Sequence, residues 1–280
     1  MLRAPVNRII PFSNVDGPGN RCSVFFQGCS FNCLFCHNPE TIHLCRGCGL
    51  CVEKCPAKAL RFDEAGQVVW DSKACVQCDT CIKLCPHDAS PKIRWMTVEE
   101  VLAEIRRAAP YIEGISTSGG ECTLQNEFLI RLFTEVRKLG KTCLIDSNGS
   151  FDFEADPRVL EVSEGVMLDV KAVEPAWSDR LISHPRDMVL KNLDYLLSAG
   201  KLYEVRTLIF PDRDRENEQT VRYVAERIGS RCFYKIIRYR PYGVREKYQK
   251  LLGEFETEKD YAERFAQLAR DLGAEKAYVV

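Results

Sequence analysis

Eleven of the fifteen cysteines fall into three short, regular runs, and a fold for this chain must bring each run's thiols together. The runs are Cys29, Cys33, Cys36; Cys45, Cys48, Cys51, Cys55; and Cys75, Cys78, Cys81, Cys85. The other four, Cys22, Cys122, Cys143 and Cys232, are scattered and read as structural, because unligated cysteine packs as a small hydrophobe. Such a count can mean a disulfide scaffold or metal ligation, and the compartment decides between them. The opening stretch MLRAPVNRIIPFSNVDGPG lacks the apolar centre of a signal peptide, and no later stretch approaches the roughly 18 apolar residues of a membrane span. The expectation is a cytoplasmic protein with no membrane association, in which thiols stay reduced and regular runs hold metal.

At 280 residues and 45% hydrophobic, the chain can bury a sizeable core. Its 39 Lys and Arg nearly balance 40 Asp and Glu, with no long run of one sign, so no nucleic-acid partner is expected. From Lys92 onward, apolar β-branched runs alternate with amphipathic stretches, the pattern of repeated strand-helix units on a parallel sheet. Strands are expected at 115–118, 143–146, 166–169, 205–209 and 234–237, with an earlier one from Cys22 to Gln27. Thr97 and Glu100 have capping-box spacing, Met96 and Val101 can form a hydrophobic staple, and Val101, Leu102 and Ile105 supply an apolar face, so a helix is expected after Thr97. Residues 45–91 break the rhythm, being short on apolar runs and dense in cysteine. The expected division is an α/β domain formed by 1–44 and 92–280, interrupted by a small module over 45–91.

That module is internally duplicated. The run C-x2-C-x2-C-x3-C-P occurs from Cys45 to Pro56 and again from Cys75 to Pro86, with a hairpin expected between them, 59–62 and 68–70. This spacing suits the corners of a [4Fe-4S] cube, and in two-cluster bacterial ferredoxins the fourth cysteine of each run ligates the other cluster. On that pattern Cys45, Cys48, Cys51 and Cys85 hold one cluster, and Cys55, Cys75, Cys78 and Cys81 the other. Structural zinc would ask instead for two separated C-x2-C pairs closing one tetrahedron.

The first run is C-x3-C-x2-C with no nearby fourth ligand. Either one iron of a third [4Fe-4S] cluster stays open to an outside ligand, or a distant cysteine closes an inert cluster. With aromatic Phe35 before the last cysteine, the run resembles the signature of the radical SAM superfamily, whose members bind the methionine amine and carboxylate of S-adenosylmethionine at the open iron. Ser118-Gly119-Gly120-Glu121, at the end of an expected strand, resembles the superfamily's glycine-rich motif, which implies that Gly119, Gly120 and Glu121 receive the methionine amino group. Val15-Asp16-Gly17-Pro18-Gly19 and Cys36-His37-Asn38-Pro39-Glu40-Thr41 resemble the glycyl radical enzyme activating enzymes, the pyruvate formate-lyase activating enzyme family, and most of all its YjjW-type members with a two-cluster insert. Asp146-Ser147-Asn148-Gly149 and Met167-Leu168-Asp169-Val170-Lys171 resemble two further motifs of the group. They imply that Asp146, Asp169 and the Met167 carbonyl bind a monovalent cation, sodium or potassium, with Ser147 at the cofactor. Lys171 and Arg206 would lie near the methionine carboxylate or the incoming peptide, and Asp16 with Arg206 would face the partner's glycine loop.

The resemblance implies a partial (β/α)6 barrel with a bacterial-ferredoxin-like insert. It also implies a monomeric, anaerobic enzyme that reductively cleaves S-adenosylmethionine and abstracts hydrogen from a glycine of a partner glycyl radical enzyme. Flavodoxin or ferredoxin would supply the electron. Two other readings stand beside it: a radical SAM enzyme acting on a small molecule, and a multi-cluster electron carrier without catalysis. One departure is visible, since the chain reads Tyr239-Arg240 where well-known members have a histidine after an aromatic residue. Neither a phosphate loop nor a dinucleotide loop occurs, and His37, His43, His87 and His184 lack zinc spacing. The basic stretch Arg238, Arg240, Arg245, Lys247, Lys250 reads as solvated surface.

Overall fold

The computed structural model describes residues 2–280. The chain opens with β1 (Arg3–Ser13), which pairs antiparallel with β2 (Arg21–Phe26). The cysteine-dense segment adds α1 (Leu50–Glu53), the antiparallel hairpin β3 (Leu60–Phe62) and β4 (Val68–Trp70), and α2 (Thr80–Lys83). Strand and helix then alternate: β5 (Arg94–Thr97), α3 (Val98–Ala108), β6 (Gly114–Gly119), α4 (Asn126–Arg137), β7 (Thr142–Ser147), α5 (Arg158–Glu161) and β8 (Gly165–Asp169). After α6 (Pro175–Ile182) and α7 (Asp187–Ser198) come β9 (Leu202–Ile209), α8 (Asp214–Ile228), β10 (Phe233–Arg238), α9 (Glu246–Leu252), α10 (Lys259–Asp271) and β11 (Ala277–Val279).

One nine-stranded sheet has the order β11-β10-β9-β8-β7-β6-β2-β1-β5. Its six central strands, β2 and β6 to β10, are parallel neighbours, as the alternation of strand and helix dictates. The end strands β5 and β11 do not pair with each other, which leaves a partial (β/α)6 barrel open on one side. All six expected barrel strands are present within three residues of their expected bounds. Three strands flanking the barrel strands were not expected. β1 carries Pro5, Pro11, Arg3 and Arg8, which blur its alternation, while β5 and β11 span only 4 and 3 residues.

Helix α3 starts as its sequence requires. The Glu100 amide donates to Thr97 Oγ1 at 3.2 Å, and the Thr97 amide donates to Glu100 Oε2 at 2.7 Å, closing the capping box. Val101, Leu102 and Ile105 are buried against the sheet's outer face. All four scattered cysteines are buried in this core.

The cysteine-dense segment has a separate small core of Cys51, Leu60 and Cys81, packed by Val52, Val68, Trp70 and Ile82. Backbone bonds tie it to the barrel: His43 N–H to the Asp88 carbonyl at 3.1 Å, and Ser90 N–H to the Glu40 carbonyl at 2.7 Å. Among the described residues, no helix is long and apolar enough to cross a membrane.

Candidate functional site

Past β2 the chain turns at Gly28, in the left-handed region at φ +103°, and enters the loop of the first cysteine run. That loop is pinned on two sides. The Gly28 and Cys29 amides donate to the Thr41 and Ile42 carbonyls at 2.8 Å each, and the Leu34 amide donates to Leu181 near the end of α6 at 2.9 Å. Cys29, Cys33 and Cys36 consequently line one cavity of about 250 Å³ at the C-terminal ends of the barrel strands, and no fourth cysteine lines it. Burial pushes the Cys29 and Cys33 thiols up to about 12 and raises Cys36 as well. Left to themselves these groups stay protonated, so ligation depends on the charge of a bound metal centre to expel the protons.

Among the described residues, no group of three or more His, Cys, Asp or Glu is gathered as the ligands of a single ion would be. The three thiols instead face an open cavity. That donor set fits an iron-sulfur cluster bringing its own bridging sulfides and retaining one iron for an outside ligand.

The opposite wall is built by Ser118, Gly119 and Gly120 at the end of β6. The Gly120 amide donates to the Phe26 carbonyl at 2.9 Å, and the Glu121 amide donates to that of Gly28 at 2.7 Å, so this turn is bonded to the backbone leading into the cysteine loop. A Cβ on Gly119 would lie 2.2 Å from the Phe26 oxygen, and one on Gly120 would lie 2.1 Å from the Gly28 oxygen. Only glycine permits that approach. Glu121 itself lies behind the wall, 1% exposed and outside the cavity lining. Its carboxylate accepts bonds from Thr123 Oγ1 at 2.6 Å, the Asn148 amide at 2.7 Å and Ser147 Oγ at 3.0 Å, while burial raises its pKa. In this structure it braces the β6 and β7 turns. Ser147 and Asn148 line the cavity from β7, and Asn148 Nδ2 stands 3.5 Å from Cys29 Sγ.

Four charges converge on the floor. Asp169 Oδ2 pairs with Lys171 Nζ at 2.7 Å, and Asp146 Oδ1 pairs with Arg206 Nη1 at 3.0 Å. Arg206 also donates through Nε to Glu204 Oε1 at 2.6 Å and directs Nη2 at Met167 Sδ, 3.1 Å away. Burial raises the pKa of Asp146 even beside Arg206. For Lys171 and Arg206 burial acts downward, but Asp169 and the cysteines around the first, and Asp146 and Glu204 around the second, more than offset it and hold both side chains charged. Both carboxylates expected to ligate a monovalent cation are thus paired with side-chain cations, and Met167 is a fully buried residue of β8. Phe35 lies under Lys171, with Nζ 5.3 Å from its ring centre.

A second cavity, of about 750 Å³, shares His37, Arg206 and Ile237 with the first and continues to the open side of the barrel. Asn14, Val15, Gly17 and Pro18 form one side, and Tyr203, Glu204, Lys235 and Tyr278 lie on strands of the other. Asp16, expected at this surface, turns into its own loop, where Ser13 Oγ and Ser23 Oγ donate to Oδ2 at 2.6 and 2.9 Å. Arg240 lines only the second cavity and pairs with Glu256 at 3.0 Å. His37 instead reaches the first cavity, with its Nε2–H on the Arg240 carbonyl at 3.1 Å and its pKa lowered by burial. The sequence offered a signal for His37, its place directly after Cys36. Glu204 had none.

In the cysteine-dense segment, Cys45, Cys48, Cys51 and Cys85 line one small cavity together with Cys81, whereas Cys55, Cys75, Cys78 and Cys81 line another. The basic stretch near the C-terminus is not uniformly solvated surface. The Arg245 side chain is 9% exposed and paired with Asp88, because the loop before α9 folds back over the cysteine loop.

The Radical SAM superfamily profile matches residues 23–224. A putative glycyl-radical enzyme activating enzyme of Haemophilus influenzae is 30% identical over 266 residues, covering 87% of this chain and 84% of that protein. The indoleacetate decarboxylase activating enzyme of Tractidigestivibacter scatoligenes is 28% identical over 268 residues, covering 86% and 84%. Among solved structures, Streptococcus suis SuiB bound to S-adenosylmethionine superposes with a TM-score of 0.55 at 12% identity, over 90% of this chain and 47% of SuiB, a likeness of fold. The chain belongs to the radical SAM superfamily, and is therefore an iron-sulfur enzyme acting through S-adenosylmethionine. Within it, the chain is a member of the glycyl radical enzyme activating enzymes.

Proposed function

We propose that this chain activates a partner glycyl radical enzyme, with Cys29, Cys33 and Cys36 holding the catalytic [4Fe-4S] cluster. The observation that carries this reading is a cavity with three thiols, no fourth, and a glycine wall pressed against the thiol loop, opening into a larger lumen. When bound and reduced, the cluster supplies one electron that splits S-adenosylmethionine into methionine and a 5′-deoxyadenosyl radical, which takes a hydrogen atom from the partner's glycine.

The protein's own groups bind and orient. Gly119 and Gly120 leave room beside the thiols, while Lys171 and Arg206 offer donors to a carboxylate. Asp146 and Asp169 keep those cations charged and aimed. A monovalent cation would have to displace these pairings, so the charge balance of the floor does not require one. The lumen beside Val15, Gly17 and Pro18 is the entry for a peptide loop, with Asp16 setting that segment's shape. We further read 45–91 as a ferredoxin-like module with two clusters, one on Cys45, Cys48, Cys51 and Cys85, the other on Cys55, Cys75, Cys78 and Cys81. It is inserted between 1–44 and 92–280. A flavodoxin or ferredoxin would reduce a cytoplasmic, monomeric enzyme.

The test is anaerobic reconstitution, reduction with dithionite, and assay of 5′-deoxyadenosine with and without a candidate partner, following the radical by electron paramagnetic resonance. A glycyl doublet on the partner, lost with Cys29→Ala, is expected. Cleavage with turnover of a small molecule and no partner would replace the reading, and no cleavage by the loaded protein would sink it.

A further inference from the structure

Arg245 stands where three parts of the chain meet. Its Nη2 donates to the Cys33 carbonyl at 2.8 Å, in the middle of the first cysteine loop, and its Nη1 donates to Asp88 Oδ2 at 2.7 Å, three residues past the last cysteine of the insert. The guanidinium packs over the Tyr248 ring, 4.8 Å from its centre. Nε is buried with no hydrogen-bond partner. A cation this enclosed, with a donor left unsatisfied, is costly to keep, and a residue serving only to cover surface would not need it. The neighbouring backbone joins the same parts, since His43 bonds to Asp88 and Ser90 to Glu40, so the insert's end nearest the barrel is the one carrying Cys85 and bordering Cys45.

We propose that Arg245 is a positioning residue that couples the insert to the catalytic loop, fixing the Cys33 turn and setting the reduction potential of the cluster held there. The proposal rests on the reading of Cys29, Cys33 and Cys36 as cluster ligands. Reduction adds negative charge to a cluster, so the Arg245 cation favours the reduced form and Asp88 offsets part of that effect. The two partners of one ion pair therefore act on the potential in opposite directions. A purely structural brace would not produce opposite signs.

The test is a redox titration of the full, reconstituted chain, following the electron paramagnetic resonance signal that changes on adding S-adenosylmethionine, which reports the catalytic cluster among the three. Arg245→Gln is expected to lower its potential and Asp88→Asn to raise it, with Arg245→Lys closer to the unmodified protein than Arg245→Gln. Unchanged potentials in both variants, or shifts of the same sign, overturn the proposal. If Arg245→Gln fails to load its cluster, Asp88→Asn decides alone, and anything other than an upward shift overturns it. An unmodified protein with loaded clusters and no signal responsive to S-adenosylmethionine would overturn the cluster reading itself, and the proposal with it.

Discussion

Arg206 and Asp146 meet at 3.0 Å, at the point where the two lumen cavities join. They come from β9 and β7, with β8 between them, so their contact crosses a strand and closes the floor of the barrel. Glu204, 4% exposed, grips the same guanidinium from the far side and is itself held by Lys235 at 3.2 Å and the Tyr278 hydroxyl at 3.1 Å. The floor is thus an alternating chain of charges, which keeps Arg206 in one orientation.

Arg206→Met should remove that orientation and leave Asp146 without its cation, while Glu204 keeps Lys235 and Tyr278. Breaking such a pair typically costs about 3–5 kcal/mol, so anaerobic denaturation should show a clear loss of stability. Formation of 5′-deoxyadenosine should fall at least about tenfold, the equivalent of about 1.4 kcal/mol at the transition state. A variant equal to the unmodified protein in both respects would show that the floor pairing is incidental.

Gly120→Ala tests the wall. The new methyl would lie 2.1 Å from the Gly28 oxygen and 2.9 Å from that of Thr41, both backbone atoms unable to swing aside as a side chain can. The turn must move off the cysteine loop. The expected outcome is S-adenosylmethionine binding weakened about tenfold or more, with iron loading retained, measured by titration of the cluster's spectrum.

Thr97→Ala should destabilise the protein by ~1 kcal/mol, the usual loss of an N-cap side chain. Glu100 adds a pH dependence, because the Thr97 amide holds its pKa below the ordinary 4.5. A depressed carboxylate stabilises fully above its unfolded pKa and loses that contribution as pH falls through the lower folded value. In Glu100→Gln, which keeps a side chain able to reach the Thr97 amide but removes the titrating carboxylate, the acid limb of the denaturation profile should therefore flatten below pH 4.5. An unchanged limb would mean that the box does not persist in solution.

The barrel strands were legible because each is a buried β-branched run, and the cluster loops because thiol spacing is a local property. Strand β1 was not, since its pairing partners β2 and β5 make it a strand despite Pro5 and Pro11. The site residues divide in the same way. Cys29, Cys33, Cys36, Gly119, Gly120, Asp146, Asp169, Lys171 and Arg206 share one cavity: all but Arg206 sit in the cysteine loop or at or just past a strand end, and Arg206 reaches it from the middle of β9. Glu121 and Asp16 are close in sequence to that surface but turn inward, where Ser147, distant from Glu121, and Ser23, on the strand after the Asp16 loop, supply donors. Arg245 looked like surface because nothing local reveals that Asp88, 157 residues away, will cover it.

The insert allows a test of how the fold distributes its eight cysteines. Each run supplies three thiols near its own short helix, and the fourth is carried beyond that helix toward the other run: Cys55 borders the cavity of Cys75, Cys78 and Cys81, while Cys85 borders that of Cys45, Cys48 and Cys51. If clusters form as these linings suggest, Cys55→Ser perturbs the cluster of the second run and Cys85→Ser that of the first. Pairing each change with Cys48→Ser or Cys78→Ser makes the assignment readable. Cys55→Ser with Cys78→Ser damages one cluster twice, with a total loss of about four irons, whereas Cys55→Ser with Cys48→Ser damages both clusters and loses about eight. Iron and sulfide analysis with Mössbauer spectroscopy measures this directly. The reverse pattern would mean that each run closes its own cluster, and that the crossing of the fourth cysteine is not realised in the loaded protein.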